Sequence, residues 1–266
     1  MTQSYWDSQF HFRSLLPDFQ ACLDSMAARS EAVPLAFEGI VYGDHTRQFV
    51  ELSGRPGAIL PVFIHGGYWR ALRVEDHRFA LPHFAQKHGA VANLEYRLLP
   101  DVTLAEIVED ALAGLRRLAD KTAARLFIIG HSAGGHLAVM GALRCPDIVA
   151  GAVSISGLYD LTPLPWTFLK DEVGLTAAAL VGQSPIEEWD TGPADQILVA
   201  VGQDETPEFH RQAHLFASSH GAAPFTIEGA HHMTVLDALA DPSSALNTEI
   251  RTRIQSAQRG LSTSGP

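Results

Sequence analysis

Two cysteines, Cys22 and Cys145, are all that the 266 residues contain. No disulfide framework can be built from them, and a reducing compartment is the expected home. Long apolar runs are missing as well: none approaches the ~20 residues needed to span a bilayer. The stretch Met1-Thr2-Gln3-Ser4-Tyr5-Trp6-Asp7 lacks the basic segment followed by an apolar one that marks a secretory signal. Positive charge is scarce, with 19 Lys and Arg against 30 Asp and Glu and a net charge of −11. Nucleic acid and anionic membranes both call for basic patches, so neither is an expected partner. Neither a Gly-x-Gly-x-x-Gly nor a Walker pattern occurs, so no nucleotide cofactor is indicated. Internal repeats and low-complexity tracts are absent too. These absences leave a cytoplasmic protein whose partner is a small-molecule substrate, with a homodimer left open.

What is present is a rhythm. At 46% hydrophobic content the chain can bury a full core. Strand-like runs fall at 49–52, 59–65, 90–94, 125–130, 148–155, 197–201 and 224–227, and near-continuous ones such as Leu126-Phe127-Ile128-Ile129 suit the centre of a parallel sheet. Helical patterns lie between them at 76–88, 103–120, 135–143, 207–220 and 244–258. Thr103-Leu104-Ala105-Glu106 reads as a capping box, and Pro207 sits where a first helical turn accepts proline. Alternation of this kind implies a doubly wound, mostly parallel α/β sheet. Residues 1–45 are aromatic without a clear period and read as a helical arm packed on a core of 46–157 and 194–258. The long segment 158–193, rich in proline and tryptophan, reads as a cap or lid over the site. A short tail, 259–266, reads as disordered.

The chemistry concentrates in Gly130-His131-Ser132-Ala133-Gly134. An apolar strand precedes it and a helical pattern follows, which is the context a Gly-x-Ser-x-Gly match needs to be a nucleophile elbow. Small residues on both sides keep the strained turn free of clashes, and Ser132 becomes the candidate nucleophile. A serine needs a base oriented by a carboxylate. In this order of elements the acid and then the histidine follow on loops after later strands. The run 197–201 leads into Gly202-Gln203-Asp204-Glu205, and 224–227 leads into Glu228-Gly229-Ala230-His231-His232. Asp204 is the preferred acid for its earlier position after the strand, with Glu205 its rival. His232 is preferred to His231 as the base, because a Gly-x-x-His spacing from Gly229 lands on it. Both loops sit at the carboxyl edge of the sheet, where open α/β sheets bind ligands.

His65-Gly66-Gly67-Tyr68-Trp69-Arg70 closes an earlier strand. Adjacent glycines let backbone amides approach an oxyanion, so Gly67, Tyr68 and the amide of Ala133 are the candidate donors. No metal site is expected. His210 and His214 have the spacing of a two-histidine clamp but lack the adjacent glutamate and a third ligand. His77 and His88 lie about 16 Å apart along one helix, too far to share an ion.

Together these motifs resemble the α/β-hydrolases, in the branch of hormone-sensitive-lipase-like esterases. Within that branch, His65-Gly66-Gly67-Tyr68-Trp69 is similar to the His-Gly-Gly-x-Trp motif of kynurenine formamidases (arylformamidases). His232-Met233-Thr234-Val235-Leu236-Asp237-Ala238-Leu239 is similar to the region after that family's histidine, and the resemblance runs from about Tyr42 to about Pro242. Tyr68 stands where related esterases carry a third glycine, and Met233 where an aromatic residue is expected. The resemblance implies a serine hydrolase that cleaves an N-formyl arylamine such as N-formylkynurenine through a formyl-enzyme, without metal or organic cofactor. Trp69, Tyr159, Trp166 and Phe168 are the candidate substrate-binding aromatics. A carboxylesterase or thioesterase acting on a small acyl ester, and a non-catalytic binding module on the same fold, are the alternatives.

Overall fold

A run that is apolar at every position suits a strand covered on both faces, and Ile59–Ile64 is buried throughout its length. The computed structural model describes residues 2–188 and 196–263. Its strands are β1 (Glu38–Val41), β2 (Phe49–Gly54), β3 (Ile59–Ile64), β4 (Ala90–Leu94), β5 (Arg125–His131), β6 (Val149–Ile155), β7 (Ile197–Gly202) and β8 (Phe225–Ile227). They form one sheet in the order β1-β2-β4-β3-β5-β6-β7-β8. The β1–β2 and β2–β4 pairs are antiparallel and all later pairs are parallel. The helices are α1 (Gln3–Phe10), α2 (Phe12–Leu15), α3 (Phe19–Glu31), α4 (Pro82–His88), α5 (Leu104–Thr122), α6 (Ala133–Arg144), α7 (Leu169–Val173), α8 (Pro207–Ser219), α9 (Val235–Ala240) and α10 (Ala245–Thr263).

Side chains alternate across a strand with period two, and each face of the sheet builds its own core. Leu60, Val62 and Ile64 of β3 join Leu115, Leu137 and Phe209 on one side. Ile59 and Phe63 join Phe84, Leu236 and Ile250 on the other. The expected alternating α/β sheet is therefore what forms, and each of the seven expected strands lies within two residues of an observed one. The eighth, β1, falls inside the segment read as an arm. It is a four-residue edge strand with only Ile40 buried, too short and too polar to show a period.

Other boundaries move for local reasons. The helix expected over 76–88 is broken into a 3₁₀ turn, Val74–Ala80, and α4. Pro82 lacks an amide proton and opens a new helix instead of continuing the old one. The capping box holds: Glu106 N–H donates to Thr103 Oγ1 at 3.3 Å, and Thr103 N–H to Glu106 Oε2 at 2.8 Å. Helix α10 continues to Thr263, through part of the tail read as disordered; positions 264–266 of that tail and 189–193 of the expected cap lie outside the described residues. Among the described residues no helix is long and apolar enough to cross a membrane.

Candidate active site

β5 ends at His131 and α6 begins at Ala133, so Ser132 alone must turn the chain. It does so at φ 56°, ψ −120°, a region costly for a residue with a side chain. A Cβ on Gly130 would lie 2.0 Å from the Gly134 carbonyl oxygen, and one on Gly134 would lie 2.0 Å from that of Ile64. Both flanking glycines are therefore required by packing. The turn is anchored by Ser132 N–H donating to the Ile155 carbonyl at 2.9 Å.

The Ser132 hydroxyl meets His232 Nε2 at 3.0 Å, and His232 Nδ1 meets Glu205 Oε2 at 2.8 Å. With its Nδ1 proton on the carboxylate, the imidazole presents a bare Nε2 to the serine, the tautomer that can accept a hydroxyl proton. The carboxylate in contact is Glu205, which corrects the expectation of Asp204. The chain leaves β7 in a tight turn closed by Glu205 N–H to the Gly202 carbonyl at 3.3 Å, and Asp204 N–H is held by the Ala230 carbonyl at 2.9 Å. That turn exposes Asp204 and buries Glu205. Glu205 Oε1 accepts from Gly202 N–H at 3.1 Å and from the hydroxyl of Ser156, so its two oxygens are divided between fixing the carboxylate and orienting the imidazole. Ser156, at φ 52° just past β6, went unnoticed in the sequence because a lone serine carries no motif.

The loop after β3 is strained along its length. Gly67, Tyr68 and Trp69 have φ of 103°, 51° and 57°. A Cβ on Gly67 would lie 2.2 Å from the Ala71 carbonyl oxygen, so no other residue fits. His65 anchors the loop through Nδ1 to the Gly66 carbonyl at 2.8 Å and Nε2 to Glu95 Oε1 at 3.1 Å. Buried Glu95 also receives Val74 N–H at 3.0 Å and the Arg47 guanidinium at 2.7 Å. Gly67, Tyr68 and Ser132 line one cavity of about 190 Å³. Ala133 opens α6, where the helical ladder leaves amides without partners.

The cover over this cavity comes mainly from the N-terminal arm. His11, Phe12, Arg13, Phe19, Leu23 and Met26 line it, whereas Phe168 is the one described contributor from 158–193. Phe12 stacks on the His232 ring with centroids 3.8 Å apart and planes 9° apart. Tyr68 Oη donates to the Phe10 carbonyl at 2.7 Å, and Phe168 N–H to Asp7 at 2.7 Å, tying the arm to both neighbouring loops. Of the aromatic candidates, Phe168 lines the cavity, as does Tyr68 of the Gly67 loop. Trp69 is buried against His136, Tyr159 is buried with its hydroxyl on Ser154 Oγ at 2.8 Å, and exposed Trp166 borders a separate depression. Met233, where the resemblance led us to expect an aromatic, lines the cavity.

Three buried histidines make the fold acid-sensitive. Burial pushes His77 down to about 3 and His136 to about 4, and burial together with neighbouring His232 pushes His131 well below the usual range. Unfolding restores an ordinary pKa near 6.5, so the unfolded chain binds more protons below that pH. Stability is complete above about pH 6.5 and falls as pH drops toward 4. The expected loss at pH 5 is roughly 2 kcal/mol for each of His77 and His136. Urea midpoints at pH 7 and pH 5 check this; equal midpoints would contradict it.

Among the described residues one group could gather three metal-ligating atoms, Asp18, Cys22 and His231, all within 4.8 Å of one another. The hydrogen bonds argue for a latch instead. Met233 N–H donates to His231 Nδ1 at 3.2 Å, which puts the ring proton on Nε2, facing Asp18 Oδ2 at 3.2 Å. Burial, with Asp18 nearby, pushes the Cys22 thiol up to about 11. His214 is exposed and His210 is bonded to the Gln203 carbonyl at 3.1 Å, as expected of a solvated helix face.

A family model described as alpha/beta hydrolase fold matches residues 61–256. Kynurenine formamidase of Danio rerio is 23% identical, covering 91% of this chain and 90% of that protein. Kynurenine formamidase of Drosophila melanogaster is 25% identical, covering 73% and 72%. A candidate thioesterase from a Silicibacter species superposes with a TM-score of 0.79 at 27% identity, covering 94% of this chain and 98% of that one. A hormone-sensitive lipase from a metagenome library superposes at 0.57 with 22% identity, covering 91% and 90%, a likeness of fold. With most of its length, residues 61–256, matched by the family model, this chain belongs to the alpha/beta hydrolase fold family.

Proposed function

We propose that this hydrolase cleaves the formamide of an N-formyl arylamine, of the N-formylkynurenine kind, with Ser132 as nucleophile. The observation that carries the reading is the unbroken chain from Ser132 Oγ through His232 to Glu205, set in a cavity beside the Gly67 loop. Ser132 Oγ attacks the formyl carbon while His232 Nε2 takes its proton, and Glu205 stabilises the imidazolium through Nδ1–H. Amides of Gly67, Tyr68 and Ala133 receive the developing oxyanion. His232 then protonates the departing arylamine, and water, activated by the same imidazole, releases formate from formyl-Ser132. Phe12 lies flat on the imidazole and shields it from water while presenting the ring face that favours a cation.

The formamide is preferred to other acyl groups because relatives named kynurenine formamidase, those of Danio rerio and Drosophila melanogaster, align over most of the chain. The candidate thioesterase at 27% identity keeps an acyl-ester reading as the second one. Steady-state turnover of N-formylkynurenine and p-nitrophenyl acetate by one preparation separates them. The expected result is a kcat/KM at least ten-fold higher for the formamide; a preference for the ester would remove the formamidase reading and leave the esterase.

A further inference from the structure

Charge around the cavity runs against the charge of the chain. Acidic residues outnumber basic ones 30 to 19, yet the cavity wall contains Arg13 and Arg70 and, among the described residues, no aspartate or glutamate. Arg70 is already engaged, with Nη1 2.5 Å from Glu172 Oε2 and its guanidinium 5.5 Å from the Phe168 ring centroid. Arg13 is different. It is exposed on α2 with its guanidinium 5.7 Å from the Phe19 ring centroid, and among the described residues no carboxylate pairs with it.

Two buried histidines of the wall add no positive charge to it. His77 Nδ1–H donates to the Arg73 carbonyl at 3.2 Å and His131 Nε2–H to the His232 carbonyl at 2.8 Å. Their second nitrogens, His77 Nε2 and His131 Nδ1, are buried lone pairs without a partner among the described residues. Burial keeps both rings neutral near pH 7. Among the described residues Arg13 is therefore the charged side chain of the cavity wall that has no carboxylate partner of its own.

We propose that Arg13 is a specificity-determining residue that holds a carboxylate on the leaving-group side of the substrate at the cavity mouth, while the formyl carbonyl reaches Ser132. The proposal rests on the serine-hydrolase reading above and adds to it the charge of the substrate and the residue that reads it. A guanidinium and a carboxylate form paired, charge-assisted hydrogen bonds that a lysine ammonium reproduces only in part.

The test uses 2-formamidobenzoate and the uncharged 2-formamidobenzamide on wild type, Arg13→Gln and Arg13→Lys. The readout is the ratio of kcat/KM for acid over amide. Wild type should favour the acid ten-fold or more, chiefly through KM, and the preference should shrink as salt rises from about 20 to about 500 mM. In Arg13→Gln the ratio should fall to near one, with Arg13→Lys between. A ratio unchanged by Arg13→Gln, or no preference in wild type, would overturn the assignment. If wild type hydrolyses p-nitrophenyl acetate but neither formamide, the formamide reading has failed separately. Competitive inhibition of that ester reaction by the acid, ten-fold tighter in wild type than in Arg13→Gln, then decides the role of Arg13, and equal inhibition rejects it. Turnover of none of the three would remove the hydrolase reading and this one with it.

Discussion

Glu205→Gln is expected to lower kcat by about 10³- to 10⁴-fold, while Asp204→Asn leaves it within a few-fold of wild type. The two carboxylates are adjacent in sequence, and the contrast comes entirely from the turn after β7. Glu205 Oε2 lies 2.8 Å from His232 Nδ1, so in the proposed mechanism it fixes the tautomer and stabilises the imidazolium when the serine proton arrives. An amide in its place keeps the size but can offer its NH₂ to the imidazole, which favours the tautomer with its proton on Nε2. That proton would face the Ser132 hydroxyl where a lone pair is needed. Asp204 is exposed, and the hydrogen bond that places it uses its backbone, which asparagine keeps. Steady-state kinetics of both variants settle the assignment; a large loss in Asp204→Asn with Glu205→Gln near wild type would reverse it.

Ser132→Ala is expected to cost 10⁴-fold or more in kcat with the fold intact. The substitution removes the oxygen proposed to attack and leaves the cavity and the amides of Gly67 and Ala133 in place. Alanine carries the same Cβ as serine and inherits the φ of 56°, so it adds no new clash at the turn. Unfolding by urea should give a midpoint close to wild type. A loss of only a few-fold would mean that another group, or water activated by His232, performs the attack.

The elbow was legible in the sequence because its requirements are local. Gly130, Gly134 and an apolar strand are contiguous with Ser132, and each answers to a contact within a few residues or to the neighbouring strand end. The parallel sheet was legible because its strands are buried on both faces and therefore apolar without alternation, as in β3. The carboxylate beside His232 was half legible: the loop was right, but which of two neighbouring carboxylates turns inward depends on a turn whose Asp204 N–H is held by the Ala230 carbonyl, far along the chain.

The cover was not legible, for a different reason. Phe12 meets His232 across more than two hundred residues, and the arm that carries it reveals no period because α1 and α2 are short. The segment 158–193 has the length and composition of a cap, yet its buried leucines, Leu161, Leu164 and Leu169, join the main core. Among the aromatics, composition could not separate Phe168 at the cavity from Tyr159 in the core, since both answer the same demand to bury a ring.

Reaction with a fluorophosphonate probe, followed by peptide mass mapping, tests most directly whether Ser132 is an activated nucleophile. Wild type should acquire a single phosphonyl adduct on the peptide spanning Ser132, Glu205→Gln should acquire it far more slowly, and Ser132→Ala should acquire none. A wild-type protein that remains unlabelled, or an adduct that persists in Ser132→Ala, would contradict the account.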